Sequence, residues 1–341
     1  MSWIYVLFAF SLTLVLTPVA IAYAKKKHLL DHPGNRRSHQ SIVPRGGGAA
    51  AVAVLLVLTL TLLPNHALLP DMVVSSSILA FFEAVLLLGL VGYFDDHKAM
   101  SNRSKLAVQV LACSIAIYLL WVSAPPNPYI GGWLIFLALL AMVWLTNLYN
   151  FMDGSHGLAA AQAVFSGLLF AWVFHTIDAE PLVVLALMLA SVSAGFLFWN
   201  FPRPKAFMGD VLSGTLGVAF SVLIVAAWLI YQLNPVLLCI VLASFVVDAS
   251  LTLLMRILRG KQWYNPHREH AYQRLVAGRF GHVGTWLVYQ GLNFLVVLPA
   301  VWLAQTGKIN VYWAAACVYL LFSLLWYAVY RNRNDKKNNI E

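Results

Sequence analysis

Long apolar stretches separated by short polar runs follow one another from end to end of the chain. A helix that crosses a bilayer needs roughly 20 consecutive apolar residues, and the stretches have that length. The pattern predicts helices near residues 3–24, 46–64, 74–94, 106–123, 130–149, 158–175, 181–200, 212–231, 235–255, 285–304 and 311–330. That is an all-α, polytopic membrane protein of about eleven transmembrane helices. A single integral-membrane domain over residues 1–341 is expected, with a short, mobile polar tail at 331–341. The first stretch has no basic residue before it and Lys25, Lys26 and Lys27 after it. It therefore reads as a retained helix and not as a cleaved signal.

The connections between stretches form two alternating sets. Segments 25–45, 95–105, 150–157, 201–211, 256–284 and the tail from 331 hold 21 of the 22 Lys and Arg residues, and the other set holds Lys308 alone. Basic residues are retained on the cytoplasmic side, so the amino terminus is expected outside and the carboxyl terminus in the cytoplasm. Outer connections such as Pro125-Pro126-Asn127-Pro128 read as bare turns.

Composition adds exclusions. The chain is 61% hydrophobic and 10% charged, where a soluble domain carries about a quarter charged residues, so a soluble cytoplasmic protein is ruled out. The formal charge of +9 sits in the inner loops, which makes the lipid bilayer the expected partner and nucleic acid an unexpected one. Cys113, Cys239 and Cys317 lie in apolar stretches and suggest neither a disulfide framework nor a metal cluster.

On a basic inner face the informative residues are the acids. Asp95 and Asp96 stand together where the third helix leaves the membrane, and adjacent like charges repel unless they share a cation. A hard ion such as Mg²⁺ would serve, though a helix end with paired surface charges is the plainer reading. Asn147, Asn150 and Asp153 recur at i, i+3 and i+6, on one face of an apolar helix ended by Gly154. Polar groups at the bilayer edge are costly without partners. Asp210 precedes the eighth helix, either as its N-cap or as a ligand.

Two further loops are candidates. The first runs from Asp31 through His32, Arg36, Arg37 and His39 to Arg45, then Gly46-Gly47-Gly48. Consecutive glycines at a helix start make sense if backbone amides and Arg45 approach a phosphate, although the basic residues of this loop also suit lipid headgroups. The last loop, Trp263 to Arg274, carries His267, Glu269 and His270, which suit phosphate contact better than an incomplete zinc site. Glu83 and Asp248 lie inside spans, as functional groups or as hydrogen-bonded helix contacts.

In order along the chain, the Asp pair, the Asn/Asn/Asp-Gly run, Phe-Met-Gly-Asp and the histidine loop resemble the motifs of the polyprenyl-phosphate sugar-1-phosphate transferase superfamily, the MraY- and WecA-like enzymes. The resemblance extends from Asp31 to Arg274. It implies an enzyme on the inner face of a bacterial plasma membrane that moves N-acetylhexosamine 1-phosphate from a UDP-sugar to undecaprenyl phosphate and releases UMP. Mg²⁺ is the implied cofactor, with Mn²⁺ as a substitute, and a homodimer is a possible assembly.

Carried over by position, Asp95, Asp96, Asp153 and Asp210 are the implied catalytic residues, with Asp96, Asp153 and Asp210 on the metal. Asp31, Arg45, Lys105, Asn147, Asn150, His267 and His270 would contact substrate, and Asp248 matches an acid of WecA-like members. Asp95 would orient the lipid phosphate or take its proton. The family's His-x-His-His reads His270-Ala271-Tyr272-Gln273 here, a departure that resembles the WbpL-like enzymes. Those start O-antigen chains, often on N-acetylfucosamine or N-acetylquinovosamine. A carrier of polyprenyl-linked glycans is the alternative, and it predicts charges lining a path through both leaflets.

Overall fold

A computed structural model of the chain describes residues 2–31, 42–67, 72–262 and 267–338. The middle of the first loop, with His32, Arg36, Arg37 and His39, lies outside them, as does Trp263 of the last loop.

Every stretch expected to be helical is helical. The helices are α1 (Ser2–Lys26), α2 (Ala49–Ala67), α3 (Met72–His97), α4 (Asn102–Ser123), α5 (Gly132–Phe151), α6 (Leu158–His175), α7 (Glu180–Asn200), α8 (Gly209–Leu229), α9 (Pro235–Val241), α10 (Ala243–Leu258), α11 (Ala271–Ala277), α12 (Gly281–Leu292), α13 (Leu298–Gln305) and α14 (Val311–Asn338). Among the described residues, nine helical segments are long and apolar enough to cross a membrane, and the bent pair α9 and α10 makes a tenth. The shorter apolar helix α2 completes the expected set.

Three details differ from the sequence reading. The ninth span is not one rod, because α9 and α10 meet at Leu242 with a bend of 82°. The break frees the Val241 carbonyl, which accepts a hydrogen bond from Gln162 Nε2 of α6 at 3.1 Å, so an apolar segment can be interrupted inside the bilayer without an orphaned acceptor. The tenth span carries a π-turn, Asn293–Val297, between α12 and α13. The last span does not stop at residue 330, because α14 runs on as helix to Asn338.

Helix α8 is the hub, packed on α3, α4 and α5 and buried along almost its whole length. Small residues permit this. A Cβ on Gly92 of α3 would sit against the backbone of Asp210 and Val211, so α3 and α8 touch where both reach the same end of the bundle. At that end, β1 (Leu30–Asp31) pairs antiparallel with β2 (Val43–Pro44), a ribbon too short to leave a sequence signal.

Candidate active site

The ends of α5, α7 and α8, the starts of α11 and α12 and the β-ribbon surround a pocket of about 210 Å³. Of the eleven residues singled out in sequence, Asp31, Arg45, Asn150, Asp153 and Asp210 line it. The ribbon delivers Asp31 and, one residue past β2, Arg45.

Arg45 ties two helices together. Its Nε lies 2.8 Å from Asp96 Oδ1 and its Nη2 3.1 Å from Asp210 Oδ1. Burial alone would lower the affinity of its guanidinium for the proton, but Asp96, Asp210 and Asp95 more than offset this and hold its pKa above the ordinary value. Lys105 of α4 makes a second bridge, 3.1 Å from Asp95 Oδ2 and 3.4 Å from Asp210 Oδ2.

Asp96 stands behind the pocket wall. It accepts from the backbone amides of Asp210 at 3.3 Å and Val211 at 3.4 Å, so it is Asp96, reaching over from α3, that satisfies the first turn of α8. Asp210 is thereby released from the capping role and turns its carboxylate to Arg45 and Lys105. Asp95 is a connector: one oxygen accepts the Met100 amide at 2.7 Å and the other meets Lys105.

Asp153 differs from its neighbours. Helix α5 ends at Phe151, so Asp153 lies in the following loop, where its amide donates to the Asn150 carbonyl at 3.2 Å while its carboxylate makes no hydrogen bond or ion pair with any described residue. Burial first, then the charges of Asp210 and Asp96, push its carboxyl well above the usual carboxylate range, with only Arg45 acting the other way. An acid held this way is short of positive charge.

The early end of α5 also corrects the expected three-residue face. Only Asn150 and Asp153 reach the pocket, and Asn150 Nδ2 donates to Ser213 Oγ at 3.0 Å. Asn147 faces α4 instead, where it exchanges amide hydrogen bonds of 2.8 and 3.3 Å with Gln109. The expected three-aspartate metal site is likewise not assembled. Among the described residues no three His, Cys, Asp or Glu side chains converge to hold an ion, because the oxygens of Asp96 are committed to α8 and Arg45. Asp153 and Asp210 still fit Mg²⁺, which is commonly held by one or two carboxylates with water and phosphate completing its shell.

The glycine run and the histidine loop also differ from expectation. The Gly47 and Gly48 amides donate to the carbonyls of Phe207 and Met208 at 3.0 and 3.1 Å. These glycines let α2 pack closely on the loop before α8 and offer no phosphate cradle. His267 and His270 do not line the pocket. Their rings stack at 4.8 Å, and burial, reinforced by the neighbouring His270 and Arg256, lowers the His267 imidazole to about 4.

Asp248 of α10 organises this loop. It accepts the Ala271 and Tyr272 amides at 2.7 and 3.0 Å and the Tyr289 hydroxyl at 2.7 Å. Tyr272, where the family motif has histidine, donates to the Phe151 carbonyl at 2.9 Å and fills the space a side chain on Gly154 would need. The last loop therefore braces the Asp153 turn.

Sequence reasoning missed His156, Gln273 and His282, all of which line the pocket. The imidazoles of His156 and His282 stack with centroids 3.6 Å apart, and His282 Nδ1 lies 3.1 Å from Ser155 Oγ. Neither histidine belongs to a recognisable spacing, and 126 positions separate them in the chain.

The family model for glycosyl transferase family 4 matches residues 78–228. A Bacillus subtilis protein named as a probable undecaprenyl-phosphate N-acetylglucosaminyl 1-phosphate transferase is 28% identical over 84% of this chain and 81% of its own. A Mycolicibacterium smegmatis decaprenyl-phosphate N-acetylglucosaminephosphotransferase is 30% identical over 74% and 69%. A phospho-N-acetylmuramoyl-pentapeptide-transferase of Moorella thermoacetica is 32% identical over 62% and 71%. The matched region includes Asp95, Asp96, Asn150, Asp153 and Asp210, and the chain belongs to glycosyl transferase family 4, the MraY- and WecA-like membrane enzymes.

Proposed function

We propose that the protein transfers an N-acetylhexosamine 1-phosphate from a UDP-sugar to undecaprenyl phosphate, on the cytoplasmic face of a bacterial inner membrane. The donor is GlcNAc or a 6-deoxy sugar such as N-acetylfucosamine or N-acetylquinovosamine, and the product starts an O-antigen or similar surface glycan. What carries this reading is Asp153, an acid whose carboxylate has no ion-pair partner among the described residues, in a pocket shared with Asp210 and Arg45, at the bundle end where a lipid phosphate would lie. The concentration of Lys and Arg in the loops of that same end supports the cytoplasmic assignment.

In this reading an oxygen of the lipid phosphate attacks the phosphorus that bears the sugar. The pyrophosphate bond of the donor breaks, UMP leaves with the bonding electrons, and a new pyrophosphate bond forms. One bond of the same kind replaces another, so the obstacle is the barrier between two anions and not the overall free energy. Catalysis then consists of positioning and charge stabilisation. Asp153 and Asp210 would hold Mg²⁺, or Mn²⁺ in its place, which supplies positive charge to the diphosphate oxygens. Arg45 and Lys105, already at Asp210, neutralise further phosphate charge. Asp95 positions Lys105 and is not needed as a base, because a phosphate monoester with a second pKa of about 6 is largely ionised at neutral pH.

The test is direct. Purified protein is mixed with undecaprenyl phosphate, Mg²⁺ and a panel of UDP-N-acetylhexosamines, and UMP is followed. UMP that requires both the lipid and the ion is expected for at least one sugar. Absence of UMP across the panel would reject the transferase reading.

A further inference from the structure

A second cavity, of about 810 Å³, lies on the bundle's flank between α6, α7 and the α12–α13 arm. Its walls are apolar, and Leu168, Phe294 and Trp302 on its rim are well exposed, so it opens sideways to the surroundings of the helices. From Trp286 to Trp302 it extends about 24 Å along the arm at 1.5 Å per residue.

Two hydrogen-bond donors break this apolar lining. The Trp286 indole Nε1 and the Gln290 Nε2 are both buried and have no partner among the described residues. Gln290 is 6% exposed. Its Oε1 is held at 3.3 Å by Asn293 Nδ2, which also donates to Gln162 Oε1 at 2.8 Å, so the amide is oriented with its nitrogen as the unused end. The two donors are four residues apart, hence on one face of α12. A buried N–H left unpaired is costly, and more so where no water reaches.

We propose that this cavity binds a bilayer glycerophospholipid, with its acyl ester carbonyls accepting from Trp286 and Gln290 and an acyl chain filling the cleft. Depth selects this occupant. From the start of α12 at Gly281, beside the candidate active site, Trp286 and Gln290 lie about 7 and 13 Å along the helix. Trp286 is thus near the boundary of a hydrocarbon core about 30 Å thick, where ester groups reside and where an indole with one apolar and one polar edge is favoured, and Gln290 lies one helical turn deeper. A polyprenyl tail has no oxygen to offer there. The inference needs only the membrane setting, so it stands apart from the proposed transfer reaction.

The experiment compares two lipids that differ only in the acceptor. Delipidated protein in detergent is titrated with dioleoyl phosphatidylethanolamine and with its diether analogue, and bound lipid is counted by native mass spectrometry. Loss of one good hydrogen bond is worth about tenfold in affinity, so the diester is expected to bind at least about tenfold more tightly. The double variant Trp286→Phe, Gln290→Leu is expected to bind both lipids alike. A second variant, Leu168→Trp, narrows the mouth without touching either donor and is expected to weaken both lipids. Equal binding of the two lipids to the unmodified protein would overturn the proposal, as would a diester preference that survives in the double variant or diester binding unchanged by Leu168→Trp. Displacement of the diester one for one by undecaprenyl phosphate would assign the cleft to a prenyl tail instead.

Discussion

Asp153 illustrates how a candidate functional residue opposes stability. Its carboxyl is raised above the ordinary value by burial and by Asp210 and Asp96, so between the two pKa values the folded chain binds more protons than the unfolded one, and stability falls as pH rises from about 4. Asp153→Asn removes that cost. Its melting temperature in detergent at pH 7.5 is expected to exceed that of the parent, and the difference should shrink as pH is lowered. Transfer activity should fall by about 10²-fold or more, the usual effect of deleting one pre-organised charge-stabilising group, and the stabilisation that Mg²⁺ gives the parent should vanish. His267 has the opposite slope. With its imidazole lowered to about 4, the unfolded chain takes up the proton first, so stability is lost as pH falls through about 6.5. His267→Asn should flatten the thermal-denaturation profile between pH 6.5 and 4.5 and leave neutral-pH activity within a few-fold. A large activity loss at neutral pH would put His267 back among the substrate contacts.

Between elements, contact is set by what a side chain leaves room for. Gly92 is the point where α3 lies on the start of α8, and an added methyl there would meet the Val211 backbone. Gly92→Ala should therefore cost about 1–3 kcal/mol, the range for overpacking a tight interior, and should lower activity as Asp96 is displaced from the α8 amides. Gly214, on α8 itself, has nothing within 4 Å of the equivalent position, so Gly214→Ala should be neutral or slightly stabilising. Asn147 and Gln109 make a similar test between α4 and α5. Either single change to Leu strands an amide in an apolar interior and should cost about 1–3 kcal/mol, whereas the double change should be close to neutral. Measured by chemical denaturation in detergent, costs that simply add would remove the pair from the account. This pair also marks a limit of periodicity: the i, i+3, i+6 face was legible, but the end of α5 at Phe151 was not, and that end takes Asp153 off the helix that carries Asn147 and Asn150.

At the scale of the whole molecule, the sequence specifies what is repeated or strongly patterned. Eleven apolar stretches and the acids that interrupt the basic loops were readable, because hydrocarbon thickness fixes span length and each aspartate departs from its surroundings. The π-turn, the bend at Leu242 and the His156–His282 stack were not, and the last two each involve a partner supplied from a distant segment, Gln162 for the bend and Ser155 for His282 in the stack. The orientation expected from the distribution of charge makes a prediction independent of the chemistry. Lys308 sits between α13 and α14, away from the loops that hold every other basic residue, and Lys205 sits just before α8. If the basic loops are cytoplasmic, a cysteine replacing Lys308 in a chain whose three native cysteines are changed to serine should react with a membrane-impermeant maleimide added outside intact cells. A cysteine replacing Lys205 should react only after the cells are opened. The reverse pattern would put the Asp153 pocket on the outer face, where UDP-sugars made in the cytoplasm cannot reach it, and would remove the proposed reaction even if every distance around Arg45 is right.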